Sequence, residues 1–435
     1  MTETIFAPVT ASFHAGITVI RISGNEVEKC LRGLGSKGTL QHQKISLQKI
    51  FDPKTGEKID EVLISFFKAP KSFTGEDVAE ISIHASPFIL KKILQILAEQ
   101  KNCRMAEAGE FSKRAFLNGK LDLVQAEAIP DLIAAETEAQ HRQALRQLGG
   151  ELGEIYRNWR LHLIEIAARI EAAIDFPDED LPQNIIDAVE SDVKNLREEI
   201  TNHLDDKRVG QKIRTGLSLA IIGAPNVGKS SLINFLAQSE VAIVSEIPGT
   251  TRDIVETHLS IAGVPVRISD TAGIRETSDP IEKEGIRRAL EKAAAADIKI
   301  FLVDATNPVL REDLIDENTL LVANKTDLQS ITNYELGITK VSLVRKIGVT
   351  DLLRDLEKKI LELIPSQSSP LITQERYRIA LQNCAENLQN FSLQKNIELA
   401  AEDLRLAARE LGKIIGDVGV ENILDVIFSR FCIGK

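Results

Sequence analysis

The sequence predicts a multidomain chain with an N-terminal α/β domain, a discontinuous all-α helical domain in two segments, and an α/β P-loop domain inserted between those segments. Three observations lead there. Short β-branched runs alternate with helical stretches over residues 1–117. A wholly helical pattern occupies residues 118–211 and returns over 366–435. Between them, residues 212–365 alternate strand, Gly-rich turn and helix, as a parallel sheet requires. A chain of 435 residues also exceeds what one core ordinarily holds.

Composition narrows the class. Hydrophobic residues at 43% and charged residues at 27%, with no apolar run able to span a bilayer, describe a globular protein that is not membrane-embedded. The opening stretch MTETIFAPVT has neither a basic n-region nor an Arg-rich amphipathic pattern, so no signal or transit peptide is expected. Cys30, Cys103, Cys384 and Cys432 are scattered without metal-ligand spacing, which suits a reducing cytoplasmic setting and predicts neither a zinc site nor a disulfide framework. The formal net charge of −11 repels phosphates at long range and excludes a general RNA-coating protein.

In the first domain, GITVIRIS, EVLISFF and DVAEISIHAS read as strands and PFILKKILQILAEQ as a helix. Beyond it, Leu148, Leu152, Ile155, Trp159, Leu163, Ile166 and Ile170 recur at helical spacing, predicting one buried face of a long helix at or after Gly149-Gly150 that Pro177 breaks. Another amphipathic helix follows through VESDVKNLREEI. LSLAIIGAPNVGKSSLINFLA then reads as strand, turn and helix, and PSQSSP as the linker back to helix through AAEDLRLAARELGKIIG.

GAPNVGKS, Gly223 to Ser230, matches G-x-x-x-x-G-K-[ST] in the strand-to-helix context the motif needs. Asn226, Val227, Gly228, Lys229, Ser230 and Ser231 are therefore nucleotide-binding candidates, with Lys229 on the β- and γ-phosphates and Ser230 on Mg²⁺. DTAG, with Asp270, Thr271, Ala272 and Gly273, follows the strand VPVRIS, where it can reach the metal shell and the γ-phosphate. NKTD, with Asn324, Lys325, Thr326 and Asp327, follows TLLVA, and Asp327 can accept both guanine donors that adenine lacks. Gly249 to Asp253, GTTRD, supplies Thr251 for the metal in a switch-loop position. The set predicts a Ras-like guanine-nucleotide switch. After Val341, related GTPases carry Ser-Ala-Lys; this chain keeps Ser342 but has Leu343 and Val344, predicting guanine specificity through the backbone donor with looser packing over the base.

The last residues, FSRFCIGK, do not form a prenylation box, since Ile433-Gly434-Lys435 has neither two aliphatic residues nor an accepted final residue. Two readings stand: Phe428, Phe431, Cys432 and Ile433 pack a helix end, or Cys432 and Lys435 serve a site elsewhere.

With SFTGEDVAE, AGEFSKRAFLNGKLDLVQAEAI, EAAIDFPDED, the nucleotide motifs and the terminal FCIGK, the sequence resembles the MnmE (TrmE) family of tRNA-modification GTPases along essentially its whole length. The resemblance implies an N-terminal folate-binding and dimerising domain, a two-segment helical domain and an inserted GTPase domain. It implies a homodimer that acts with a flavin-dependent MnmG (GidA) partner on carbon 5 of the wobble uridine of certain tRNAs. The one-carbon unit would come from a 5-formyl- or 5,10-methylene-tetrahydrofolate.

The same resemblance implies a K⁺ site at Asn226, Ser245, Ile247 and Thr250, within a nucleotide-contacting loop of Ser245, Glu246, Ile247, Pro248, Gly249 and Thr250. Such a cation offsets developing phosphate charge as an arginine finger would. Glu282 matches the family's catalytic acid, orienting the attacking water, since no glutamine follows Gly273 as in Ras. Arg21, Glu80, Lys120 and Lys435 match folate-binding positions, and Cys432 is a catalytic candidate expected close to the one-carbon site, its role as a nucleophile left open. The chain departs from the family at ASFHAG and SIHAS, where glycine-rich stretches are usual. A ribosome-assembly GTPase of the Era or Der kind is the alternative, but it would carry a trailing RNA-binding module or a second GTPase domain, and this sequence has one phosphate loop and no GxxG clamp in its last segment.

Overall fold

Period-two alternation builds the first sheet. The computed structural model describes residues 3–10, 15–38, 40–175, 183–239, 257–269, 291, 293–329, 337–365, 370–394 and 396–435. Its strands β1 (Thr4–Pro8), β2 (Ile17–Ser23), β3 (Lys44–Phe51), β4 (Lys58–Phe67), β5 (Val78–His84) and β6 (Cys103–Met105) lie in the order β3-β4-β5-β2-β1-β6. Pairings are antiparallel except β1 with β6. Ile20, Ile22, Ile81 and Ile83 point into a core closed by the helices Val27–Gly33 and Pro87–Ala98. The intervening residues Arg21 and Glu80 face the other way and are exact cross-strand neighbours. On that second face Ile5, Ala7 and Ala106 pack with Phe111, from the helix Glu110–Leu117.

The chain divides into two compact units, and each has its own helices. The first holds residues 1–130, 148–193 and 387–435. In it the helix Glu151–Asp175 runs against Ile397–Ile415, and the predicted apolar stripe holds at Leu152, Leu163, Ile166 and Ile170. Leu148 closes the preceding helix, Ile155 is half-buried, and Tyr156 is fully buried beside Leu152, Leu163, Ile166 and Ile170. The break expected at Pro177 lies outside the described residues. Leu123 and Ala126 pack with Leu424, Ile427, Phe428 and Phe431, which fixes the final turn of the chain.

The second unit holds residues 131–147 and 194–386. Strands β7 (Leu217–Ile222), β8 (Thr257–Ile261), β9 (Val264–Ser269), β10 (Ile298–Asp304), β11 (Thr319–Asn324) and β12 (Thr339–Lys340) lie in the order β12-β11-β10-β7-β9-β8. The sheet is parallel, as expected, except that β8 runs antiparallel to β9 at the edge. Nothing in a short apolar run distinguishes the two directions. A tight turn at Ala262 and Gly263 joins β8 to β9, and its Gly263 carbonyl accepts from the Ala139 amide at 3.0 Å. His258 Nδ1 lies 3.7 Å from Glu136 Oε2 in the same region. The helical residues of this unit are tied by polar contacts: Gln147 Oε1 accepts from Thr373 Oγ1 at 2.9 Å, and Arg378 pairs with Asp206.

Candidate functional site

The strand β7 delivers the chain at the carboxyl edge of the parallel sheet, where open α/β folds bind ligands. The turn that follows leads into the helix Lys229–Ala237, whose first amides make an anion-receiving end. Lys229 is buried, and its Nζ donates to the carbonyls of Gly223 at 2.9 Å and Ala224 at 2.8 Å, curling the side chain over the loop. Gly228 is obligatory: its φ is +106°, and a Cβ there would lie 2.4 Å from Asn324 Nδ2. Asn226, Ser230 and Ser231 are exposed at the mouth, whereas Val227 is buried.

Asn324 ends β11 and organises three segments. Its Nδ2 donates to the Val227 carbonyl at 2.8 Å, and its Oδ1 accepts from the Leu343 amide at 3.2 Å. Thr326 donates through both backbone and side chain to the Val341 carbonyl, at 3.2 Å and 2.9 Å. Lys325, at φ +64°, turns its Nζ to Asp304 Oδ2 at 2.6 Å. Burial pushes the Asp304 carboxyl up, but hydrogen bonds from Lys325 and Thr306 outweigh it and hold the group below the usual carboxylate range. Asp327 stays at the edge, with Arg345 Nε 4.0 Å away. The arrangement brings phosphate loop and base motif together, with cradle and lysine fitting the phosphates of a nucleotide.

Leu343 is buried with Val227 and Val341, while Val344 is 89% exposed. Ser342 instead pairs its backbone with Ile347, closing the turn. The proposed residues Ser245 to Thr251, Asp270 to Gly273 and Glu282 lie outside the described residues.

In the first unit, Arg21 donates from Nε to Glu80 Oε1 at 2.9 Å, and its guanidinium lies 5.2 Å from the Phe73 ring centroid and 5.6 Å from that of Phe111. This is a cation against two aromatic rings with a carboxylate paired to it, a setting suited to a flat ligand with a donor edge. Lys120 Nζ donates to the Pro70 carbonyl at 3.1 Å, on the loop that carries Phe73. The tail joins at Phe111, whose amide donates to the Lys435 carbonyl at 3.1 Å. Ala108 and Ile433 form a β-bridge, and the Cys432 carbonyl accepts from Gly109. Gly109 has φ +68°, and a Cβ there would meet the Phe428 carbonyl oxygen at 2.5 Å. The Cys432 thiol is exposed.

The receiving turn is held by a network the sequence reading missed. Glu110 accepts from Arg104 Nη1 and Nη2 at 2.8 and 2.7 Å and from Arg114 Nη2 at 3.0 Å. Burial raises the Glu110 carboxyl, but these arginines and the Glu107 amide bring it below its ordinary range. Phe73, Phe111 and Asp304 were also missed; only Asp304 had a signal, as an acid closing an apolar strand at the sheet's carboxyl edge.

Two family models match the chain: the MnmE helical domain over residues 123–432 and the GTP-binding protein TrmE N-terminus over residues 4–120. The chain is similar to the tRNA modification GTPase MnmE of Rickettsia canadensis (strain McKiel), 47% identical over 444 aligned positions covering 100% of both chains. It is 46% identical to that of Rickettsia akari (strain Hartford), again over 100% of both. With that of Orientia tsutsugamushi (strain Boryong) it shares 45% identity over 100% of this chain and 99% of the other.

Proposed function

This chain belongs to the MnmE family of tRNA modification GTPases, and on that premise we propose that it is a potassium-activated GTP hydrolase that modifies carbon 5 of the wobble uridine of certain tRNAs. It acts as a cytoplasmic homodimer with a flavin-dependent MnmG (GidA) partner. An aminomethyl or carboxymethylaminomethyl group is installed, and a tetrahydrofolate derivative supplies its one-carbon unit.

The protein's own residues divide the work. Lys229 holds the β- and γ-phosphates, Ser230 and Thr251 hold Mg²⁺, and Asp327 selects guanine. Asn226, with Ser245, Ile247 and Thr250, holds K⁺, and Glu282 orients water. Arg21, Glu80, Lys120 and Lys435 bind the folate, and Cys432 lies by the one-carbon site.

One observation carries the modification chemistry beyond nucleotide turnover. Phe111 carries an aromatic face beside the Arg21–Glu80 pair while its amide holds Lys435, so the cluster and the tail share one residue. The test is nucleoside analysis of tRNA from a strain lacking this protein. Loss of the modified wobble uridine is expected, and unchanged wobble uridines would overturn the reading.

A further inference from the structure

Cys30 and Cys103 are 73 positions apart in sequence, yet their Sγ atoms lie 2.9 Å apart. Both are free thiols, and this contact is well inside the ordinary non-bonded sulfur–sulfur separation. A disulfide needs about 2.05 Å, so bonding requires the sulfurs to close by about 0.9 Å.

Rigid elements bring them together. Cys30 is wholly buried in the helix Val27–Gly33, packed in the cluster that holds Val27, Leu31 and Leu34. Cys103 opens β6 and is half-buried, paired in register with Thr4 of β1. Gln100 fastens the two elements: its Nε2 donates to the Cys30 carbonyl at 3.1 Å, and its carbonyl accepts from the Cys103 amide at 3.3 Å. The Thr4 hydroxyl, on the neighbouring strand, accepts from the Glu26 amide at 3.0 Å, just before the same helix. The scattered spacing that predicts no disulfide framework therefore conceals a pair the fold assembles.

We propose that Cys30 and Cys103 form a reversible intramolecular disulfide, making this contact an oxidative modification site. Burial pushes both thiols up, Cys30 further, so the reaction begins at the more accessible Cys103. The oxidant is a small-molecule disulfide such as oxidised glutathione. Cys103 loses its proton and attacks one sulfur of that disulfide, forming a mixed disulfide and releasing one glutathione thiolate. Cys30 then loses its proton and attacks Cys103 Sγ, forming the Cys30–Cys103 bond and releasing the second glutathione thiolate. The two protons end on the two released thiols, the pair loses two electrons, and the external disulfide gains them.

The test uses the reduced full-length protein, treated with excess oxidised glutathione, quenched in acid, unfolded, alkylated, digested and weighed. A Cys30–Cys103 cross-linked peptide, two hydrogens lighter than its parts and lost on reduction with dithiothreitol, is the expected product. The Cys30→Ala variant, which keeps the site small and apolar, should stop at a glutathione adduct on Cys103. Oxidised wild-type protein should also melt several degrees above the reduced form, a shift Cys30→Ala should lack. Full alkylation of both Cys30 and Cys103 after oxidation, or a cross-link from Cys103 to Cys432 in place of Cys30, would overturn the proposal. None of these readouts depends on tRNA modification.

Discussion

Asn324 donates its side-chain amide to the carbonyl of Val227 across 2.8 Å, joining the base motif to the phosphate loop in one hydrogen-bonded unit. Its other side-chain atom receives the Leu343 amide, so the residue holds three loops in register. Replacing it with alanine leaves a buried carbonyl and a buried amide unpaired, each costing about 1–3 kcal/mol. Asn324→Ala should weaken guanine-nucleotide binding by roughly 10²-fold, measured by titration with a fluorescent GDP analogue. Affinity within twofold of wild type would show that the bridge is incidental.

Turnover should be faster in KCl than in NaCl at equal ionic strength. Sodium is too small for a cage of carbonyl oxygens sized for potassium. Phosphate release followed in both salts decides the matter, and equal rates would remove Asn226 and the Ser245 to Thr250 loop as a cation site.

Glu282→Ala should lower turnover by roughly 10²-fold or more while nucleotide affinity stays near wild type, as loss of a water-orienting group demands. Single-turnover hydrolysis and equilibrium binding are measured side by side. A parallel fall in affinity would assign Glu282 a structural role.

Gly109→Ala should dislodge the tail, because its Cβ would collide with the Phe428 carbonyl and the residue would be strained at φ +68°. Hydrogen exchange over residues 429–435 should quicken at least tenfold, tRNA modification should fall, and GTP hydrolysis should persist. Unchanged exchange would mean the turn absorbs the methyl group.

Acid should expose the Asp304–Lys325 pair. A carboxylate held below its unfolded range contributes stability that is complete above the unfolded pKa of about 3.9 and is lost as pH falls through the lower folded value. Asp304→Asn should therefore cost roughly 1–2 kcal/mol at neutral pH, with the difference in urea midpoint closing as pH falls below the unfolded carboxylate range. A difference that persists unchanged into acid would assign the loss to packing.

Local chemistry was legible in the sequence, and tertiary direction was not. The phosphate loop announces itself because Gly228 and Lys229 answer to constraints within a few residues of chain. Arg21 and Glu80 were legible as candidates, but their pairing depends on the register of β2 with β5, which no local pattern fixes. Leu343 shows the same limit: the letter itself does not say that the turn closed by Ser342 and Ile347 sends the side chain into the core. Tyr156 is buried where Ile155 was expected because positions three and four residues after Leu152 both lie beside its face, and the partner helix decides between them. Phe73 and Phe111 reach Arg21 from distant stretches, so nothing around either one marks it.

The β8–β9 hairpin has a fastened tip and an open end. Gly263, at the tip, accepts from Ala139, at the start of the helix Glu138–Leu148. At the open end, the chain enters β8 shortly after Thr251 and leaves β9 directly into Asp270, so the GTTRD and DTAG motifs are spliced to the same two strands. The hairpin is a lever whose fulcrum is the register with β7, along which β9 is paired from Val266 to Ser269. The Ala139–Gly263 hydrogen bond, with His258 beside Glu136, makes residues 131–147 the helical neighbour of the hairpin whose other end runs into the two motifs.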